Sequence, residues 1–401
     1  MPSLAPTPTE TLATAPLPIW LKTTDGHTVL WLDSGRELLA AQLQAIEGAQ
    51  SSIRLEQYIY RASDVAERYR EAMTAAARRG VSVTVLIDHA GSISLPGDYF
   101  SELESLGGKL VWFNPVRRRF WSFRDHRKLL VVDDDTAFIG GCNIAPEYEG
   151  DGITEGWRDG GIGIRGPVVQ HLACAFEKQV DQAPKQIWKV RRQSSWGRIE
   201  VSPEVTLLLT RPGFHQNAFD EALRRDLHNA RDVAITCAYF LPPGRTRRSL
   251  QKAAHRAKRF RLLLAGKCDV PMFQSASRAQ YRKFQGKGAQ IYEYQPQVLH
   301  AKTLVVDDAV YVGSSNLDPR SLSINFELMI RIASPELARQ ARATFERDLD
   351  HSSLVEKVRW RRPTTWWKRL KQKIAWWLFV RLDLSIAQSM LQDAEQRGGR
   401  T

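Results

Sequence analysis

Cysteine is scarce in this chain: Cys142, Cys174, Cys237 and Cys268 are the four in 401 residues, and none forms a Cys-x-x-Cys pair. That argues against a disulfide framework and favours a reducing compartment. A secretory signal is missing too, because Met1 to Pro18 has no basic start leading into an apolar core. This segment is rich in Pro, Thr and Ala and reads as a flexible leader. The apolar run Ala375 to Val380 is far short of the ~20 residues that span a bilayer, so any membrane contact is expected to be peripheral. His27, His171, His215, His228, His255 and His351 show no metal-ligand spacing and read as surface residues. Asp133-Asp-Asp135 and Asp88-His89 offer adjacent rather than convergent ligands, which suits a metal poorly. No metal and no cofactor is expected.

What the chain does contain is a pattern written twice. His126-Arg-Lys128 is followed by Asp133 and then Gly140, Gly141 and Asn143; His300-Ala-Lys302 is followed by Asp307 and then Gly313, Ser314, Ser315 and Asn316. Leu129 to Val132 and Thr303 to Val306 are apolar, largely β-branched runs suited to buried strands, and the acids after them read as turns. Each copy therefore predicts a hairpin that presents an imidazole and an ammonium together at its start, since residues two apart on a strand share a face.

The repeat extends further. Ser51 to Tyr58 answers Asp232 to Tyr239, Gly107 to Pro115 answers Gly288 to Pro296, and Trp157-Arg-Asp159 answers Asn325-Phe-Glu327. With 43% hydrophobic and 25% charged residues, the chain is long enough for two cores. Helical patterns over Ala66 to Arg79, Val168 to Val180 and Pro335 to Leu349 alternate with the strands. The fold class is α/β: two tandem, pseudo-twofold-related units, each a mixed β-sheet flanked by helices, plus a C-terminal amphipathic helical tail. The expected organisation is a leader over 1–19, a first unit over 20–199 ending in a basic linker from Lys185 to Arg198, a second unit over 200–350 and a tail over 351–401.

Two His-x-Lys-x4-Asp motifs resemble the phospholipase D superfamily, whose members build one site from both; the similarity spans roughly residues 35 to 350. Gly141-Cys-Asn-Ile-Ala-Pro-Glu-Tyr148 and Asn316-Leu-Asp-Pro-Arg-Ser-Leu-Ser-Ile-Asn-Phe-Glu327 are most similar to bacterial cardiolipin synthases, in particular the short B-type, which lacks preceding membrane spans. The resemblance implies two phospholipase D-like domains and a catalytic set of His126, Lys128, Asp133, His300, Lys302 and Asp307. It also implies that His126 is the nucleophile and His300 the general acid and base, a choice the two equivalent motifs do not themselves make.

Side-chain chemistry supports such a centre. A phosphodiester needs a nucleophile, positive charge around its nonbridging oxygens and an acid for the leaving alkoxide. Lys128, Lys302, Asn143 and Asn316 can hold those oxygens. Asp159 and Glu327 are candidate acceptors for the second ring nitrogens of the histidines, although the first copy carries an insertion, with 16 positions from Asn143 to Asp159 against 11 from Asn316 to Glu327. Asp133 and Asp307 read more readily as turn residues than as substrate ligands. The expected function is phosphatidyl transfer that makes cardiolipin from phosphatidylglycerol and a second phospholipid through a phosphohistidine. The alternative is a hydrolytic phospholipase or metal-independent nuclease using the same residues.

Charge points to the partner. The formal net charge is +13, and Lys357 to Arg381 holds nine Lys or Arg, no acid and five of the chain's 12 tryptophans. On a helix Trp366, Trp367, Leu370, Ile374, Trp377 and Leu378 share an arc of about 120°, the pattern of an interfacial helix. A second basic cluster, Arg117 to Arg124, should form a rim in which Phe120, Trp121 and Phe123 meet lipid. Anionic phospholipid and a membrane surface are the expected partners, with nucleic acid disfavoured and no obligate protein partner. The expected location is peripheral, on the cytoplasmic face of a bacterial membrane.

Overall fold

The computed structural model describes residues 19–114, 122–183, 197–212 and 217–356. The expected leader, most of the linker, Phe120, Trp121 and the tail helix lie outside them. Among the described residues, the first half forms an eight-stranded sheet. Its strands are β1 (Trp20–Lys22), β2 (Thr28–Leu32), β3 (Ser52–Gln57), β4 (Ser82–Asp88), β5 (Lys109–Phe113), β6 (Leu129–Val132), β7 (Thr136–Gly140) and β8 (Gly161–Arg165), in the order β1-β2-β8-β7-β6-β3-β4-β5.

The second half repeats this order and adds a ninth strand at one edge. It comprises β9 (Arg198–Glu200), β10 (Val205–Thr210), β11 (Asp232–Cys237), β12 (Arg259–Ala265), β13 (Gln290–Tyr294), β14 (Lys302–Val306), β15 (Ala309–Gly313), β16 (Glu327–Ala333) and β17 (Ser352–Leu354), ordered β9-β10-β16-β15-β14-β11-β12-β13-β17. β3-β4-β5 and β11-β12-β13 are parallel, whereas β6-β7-β8 and β14-β15-β16 are antiparallel. The α/β class with two mixed sheets is therefore as expected. Two details differ: Arg198 already belongs to the second sheet, and β17 pairs with β13 beyond residue 350.

The helices follow local rules. α1 (Gly35–Gly48) starts at Ser34, whose side chain accepts from the Glu37 amide, while Glu37 accepts from the Asp33 amide. α2 (Asp64–Arg78) carries acids in its first turn and Arg78 in its last, matching the helix dipole. α3 (Ser101–Ser105) completes the outer layer of the first half, where Leu38, Ile46, Tyr69 and Leu103 pack on Leu55, Val85 and Leu130. α4 (Val168–Gln182) lies on the other face.

In the second half α5 (Ala218–Asp226), α6 (Gly244–Arg256) and α7 (Pro271–Gln285) form the outer layer, and the short α8 (Pro319–Ser323) precedes β16. α9 (Pro335–Asp350) begins with Pro335 behind the Ser334 cap. The third core is shared between halves: Leu172 and Phe176 of α4 and Ala341 and Phe345 of α9 are buried with Leu129, Val131 and Ile162 of one sheet and Leu207, Val305 and Ile330 of the other. Along β6, Leu129 and Val131 face this shared core while Leu130 and Val132 face the outer helices. Burial on both faces explains the unbroken apolar run.

Some expectations are corrected by burial. His27 is 1% exposed rather than on the surface; its Nδ1 meets Asp25 at 2.9 Å and its Nε2 accepts from the Val168 amide at 3.2 Å. Phe123 is fully buried and Arg124 is paired with Asp88 at 3.3 Å, so neither belongs to an exposed rim. Arg127, the middle residue of the first motif, is also fully buried, with Nε and a terminal nitrogen 2.9 and 2.5 Å from Glu56 Oε1, and with Asp125 3.4 Å away. Removing the guanidinium would strand the Glu56 carboxylate against the shared core. Arg127→Ala should therefore lower unfolding stability by about 3–5 kcal/mol in chemical denaturation.

Candidate active site

Each histidine is oriented by the opposite half of the molecule. His126 Nδ1 lies 3.0 Å from Glu327 Oε2, and His300 Nδ1 lies 2.6 Å from Asp159 Oδ2. The backbone makes the same exchange. The His126 amide donates to the Phe326 carbonyl (3.0 Å) and the Phe326 amide to the Arg124 carbonyl (2.9 Å), while the Arg158 amide donates to the Val298 carbonyl and the His300 amide to the Arg158 carbonyl (both 2.8 Å). Segments preceding each histidine thus pair with segments preceding each acid, around a pseudo-twofold relation.

A carboxylate on Nδ1 fixes the tautomer: Nδ1 carries the proton, and Nε2 of the neutral ring presents a lone pair. The lysines fill the space beside them. Lys128 Nζ donates to the His126 carbonyl at 2.7 Å, and Lys302 Nζ donates to the His300 carbonyl and lies 2.9 Å from His300 Nδ1. Asn143 Oδ1 accepts from the Ile59 amide (3.1 Å) and Asn316 Oδ1 from the Tyr239 amide (3.3 Å), just past the ends of β3 and β11. Anchoring through oxygen leaves both amide nitrogens as the donors, as anion binding requires.

Burial sets the charge states. It pushes His126 below its ordinary value, with Lys128 and Lys302 adding to the effect against Glu327. Burial and Lys302 push His300 down to about 4 despite Asp159. Lys128 falls to about 7 through burial, and Lys302 is lowered for the same reason. Burial raises the carboxyl groups, but Lys302 and His300 outweigh it at Asp159, and His126 and Lys128 outweigh it at Glu327, so both stay low. The site thus combines rings that favour the neutral form, ionised acids and two lysines whose charged forms an arriving anion would stabilise.

Asp133 and Asp307 lie outside this constellation. Asp133 takes φ +55° in the β6–β7 turn, where its carboxylate accepts from the amides of Gln50 (2.9 Å), Ser51 (2.7 Å) and Ser52 (2.9 Å). Asp307, at φ +48°, accepts from the amides of Arg231 and Asp232. A short carboxylate tolerates the left-handed region and caps the amides entering the neighbouring strand. Strand β6, about 13 Å long at roughly 3.3 Å per residue, separates Asp133 from Lys128.

Three groups escaped the sequence reading. The insertion before Asp159 brings Tyr148 and Trp157 against His300, with ring centroids 5.2 and 5.6 Å away; Tyr148 Oη lies 3.4 Å from His300 Nε2 and accepts from Asn143 Nδ2 at 2.7 Å. Tyr58 packs edge-on to His126 at 4.9 Å, with Lys128 Nζ 5.2 Å from its ring centre. Ser314 Oγ donates to Glu327 Oε2 at 2.5 Å, whereas its counterpart Gly141 leaves room for Asp159. The unequal motif spacing signalled the insertion, but nothing local announced where its rings would go.

A family model described as cardiolipin synthase, PLD-like domain, matches residues 42–150 and 223–349. Cardiolipin synthase B of Escherichia coli K12 is 31% identical over 368 residues, covering 88% of this chain and 87% of that protein. Probable cardiolipin synthase YwiE of Bacillus subtilis is 28% identical and covers 82% of this chain and 67% of its own length. In structure, the chain resembles phosphatidylserine synthase of Haemophilus influenzae Rd KW20, with a TM-score of 0.68 at 14% identity over 90% of this chain and 94% of that one.

Two predictions come from this geometry. A Cβ on Gly141 would stand 2.4 Å from Asp159 Oδ1, so Gly141→Ala should displace the carboxylate and lower turnover on the order of 100-fold with little change in fold. The depressed His300 also ties stability to pH: the unfolded chain binds a proton near 6.5 that the native ring refuses until about 4. Its contribution is full above pH 6.5 and is lost as pH falls toward 4, so His300→Gln should flatten that part of the stability profile in denaturant titrations.

Proposed function

The chain belongs to the cardiolipin synthase family with PLD-like domains and is a phospholipase D-type phosphatidyltransferase; from that premise we propose that it makes cardiolipin from phosphatidylglycerol and a second phospholipid through a covalent phosphohistidine. The observation that carries this reading is the crosswise pairing of His126 with Glu327 and of His300 with Asp159, which gives both rings the same tautomer.

In the first step the His126 Nε2 lone pair attacks phosphorus, the bond to the departing alcohol oxygen breaks, and His300 supplies that oxygen with a proton from Nε2. The bound phosphodiester, an anion between Lys128 and Lys302, raises the proton affinity that burial had lowered and so lets His300 take up the proton it donates. In the second step the incoming lipid hydroxyl gives its proton back to His300 and attacks phosphorus, and the N–P bond breaks. Lys128, Lys302, Asn143 and Asn316 neutralise and orient the nonbridging oxygens throughout, and the buried carboxylates stabilise each imidazolium as it forms. Water in place of the lipid hydroxyl would give hydrolysis.

No helix among the described residues is long and apolar enough to cross a membrane. Peripheral attachment to the cytoplasmic face of the bacterial membrane is the corresponding proposal for location, with anionic phospholipids as partners.

Rapid quenching with phosphatidylglycerol labelled in its phosphatidyl part should trap acid-labile, base-stable label on His126, and His126→Ala should abolish it. Cardiolipin should be the main product by mass spectrometry, with turnover persisting in EDTA. Label confined to His300, or phosphatidic acid as the sole product, would overturn the assignment.

A further inference from the structure

The positive charge has a second home besides the tail. Residues 244–292 hold 13 Lys or Arg against a single acid, Asp269, a net +12 beside +13 for the whole chain. They form α6, β12 and α7 on the outer side of the second half. Thr246, Leu250, Ala253 and Ala254 of α6 are buried, while Arg245, Arg248, Lys252, His255 and Arg256 are exposed. At 100° per residue these five span about 100° of the helix surface. α7 packs beside α6 and exposes Arg282 and Lys283, with Lys287 just past its end.

Cations at the margins of this face are neutralised: Arg259 pairs with Asp232 (2.5 Å), Arg261 with Glu346 (2.7 Å) and Arg278 with Glu293 (2.7 Å). Among the described residues Arg245, Arg248, Lys252, Lys258, Arg282, Lys283 and Lys287 form no ion pair. Among the described residues their mutual repulsion goes uncompensated, which is the signature of a surface awaiting an anionic partner. The face also begins at the site. Tyr239, whose amide holds Asn316, packs on Phe273 of α7 at 4.8 Å, and α6 starts five residues after Tyr239; Met272, 37% exposed, precedes Phe273 on α7.

We propose that the basic face of α6 and α7 is the surface by which this protein docks on an anionic bilayer, turning the Asn316 side of the site toward the headgroups. The proposal rests on the phosphatidyltransferase reading only for why the anionic surface is a membrane. Several features favour a bilayer over nucleic acid. The cations lie across two adjacent helices, no Phe, Tyr or Trp is interleaved among them on α6 for base stacking, and Met272 exposes an apolar side chain on α7.

The test is flotation of the full chain with vesicles of phosphatidylcholine alone or mixed equally with phosphatidylglycerol. The triple variant R245E/R248E/K252E is compared with a tail variant, K368E/R369E/K371E. Each cation near an anionic surface is worth about fivefold in partitioning, so losing three and gaining three acids should make the α6 variant bind mixed vesicles at least about 100-fold more weakly at low salt. Turnover of a monomeric short-chain phosphatidylglycerol and the thermal melt should stay unchanged. Binding that survives in the α6 variant, or falls only in the tail variant, would overturn the docking surface, as would tighter binding to single-stranded DNA than to mixed vesicles at equal salt. If the wild type bound mixed vesicles through this face yet formed no product from phosphatidylglycerol, the phosphatidyltransferase reading would fall and the docking surface would stand.

Discussion

The molecule depends on an exchange of carboxylates between its halves. Glu327 opens the β16 side of the second sheet and serves the histidine of the first motif; Asp159 precedes β8 and serves the histidine of the second. Neither half alone can fix the tautomer of its own imidazole, so the centre exists only when the halves are docked. The shared core around α4 and α9, with Phe113 against Phe326 at 5.4 Å and Arg158 bonded to Asp348 at 2.7 Å, holds that docking in place. Catalytic geometry and interdomain packing are consequently one energetic unit.

Duplication supplies the frame, and departures from it supply the differences between the two rings. Ser314 tethers Glu327 through a hydroxyl, while Gly141 at the equivalent place admits Asp159 by lacking a side chain. Tyr58 borders His126, but its counterpart Tyr239 turns away to Asp269 and Phe273, and the insertion fills the position beside His300 with Tyr148 and Trp157. His300 is therefore walled by aromatic rings with a phenol at Nε2. An unequal pair of histidines suits an unequal division of labour between nucleophile and proton carrier.

Charge is arranged at two scales. Inside, two lysines lose part of their proton affinity to burial, so that an arriving phosphodiester restores favourable electrostatics. Outside, cations that form no ion pair among the described residues gather on α6 and α7, whose Phe273 packs on Tyr239. Burial makes the inner pair selective for an anion that fits between them, while solvent screening leaves the outer group with little preference beyond sign.

Much was legible in the sequence because the signals are local. Unbroken apolar runs marked β6 and β14, helical patterns marked α2, α4 and α9, and the repeated motifs marked the duplication and the two His-Lys pairs. Burial was less legible: Phe123 and His27 have nothing in their flanking residues to say they are enclosed, whereas the motif aspartates already read as turn residues, and only the family resemblance set them beside the catalytic pairs. The chain alone determined the elements, the repeat and the chemical types at the centre, since these rest on contacts a few residues apart. Only the tertiary structure decided which acid holds which ring, because those hydrogen bonds join groups 201 and 141 positions apart and arise solely from how two sheets pack against a common core.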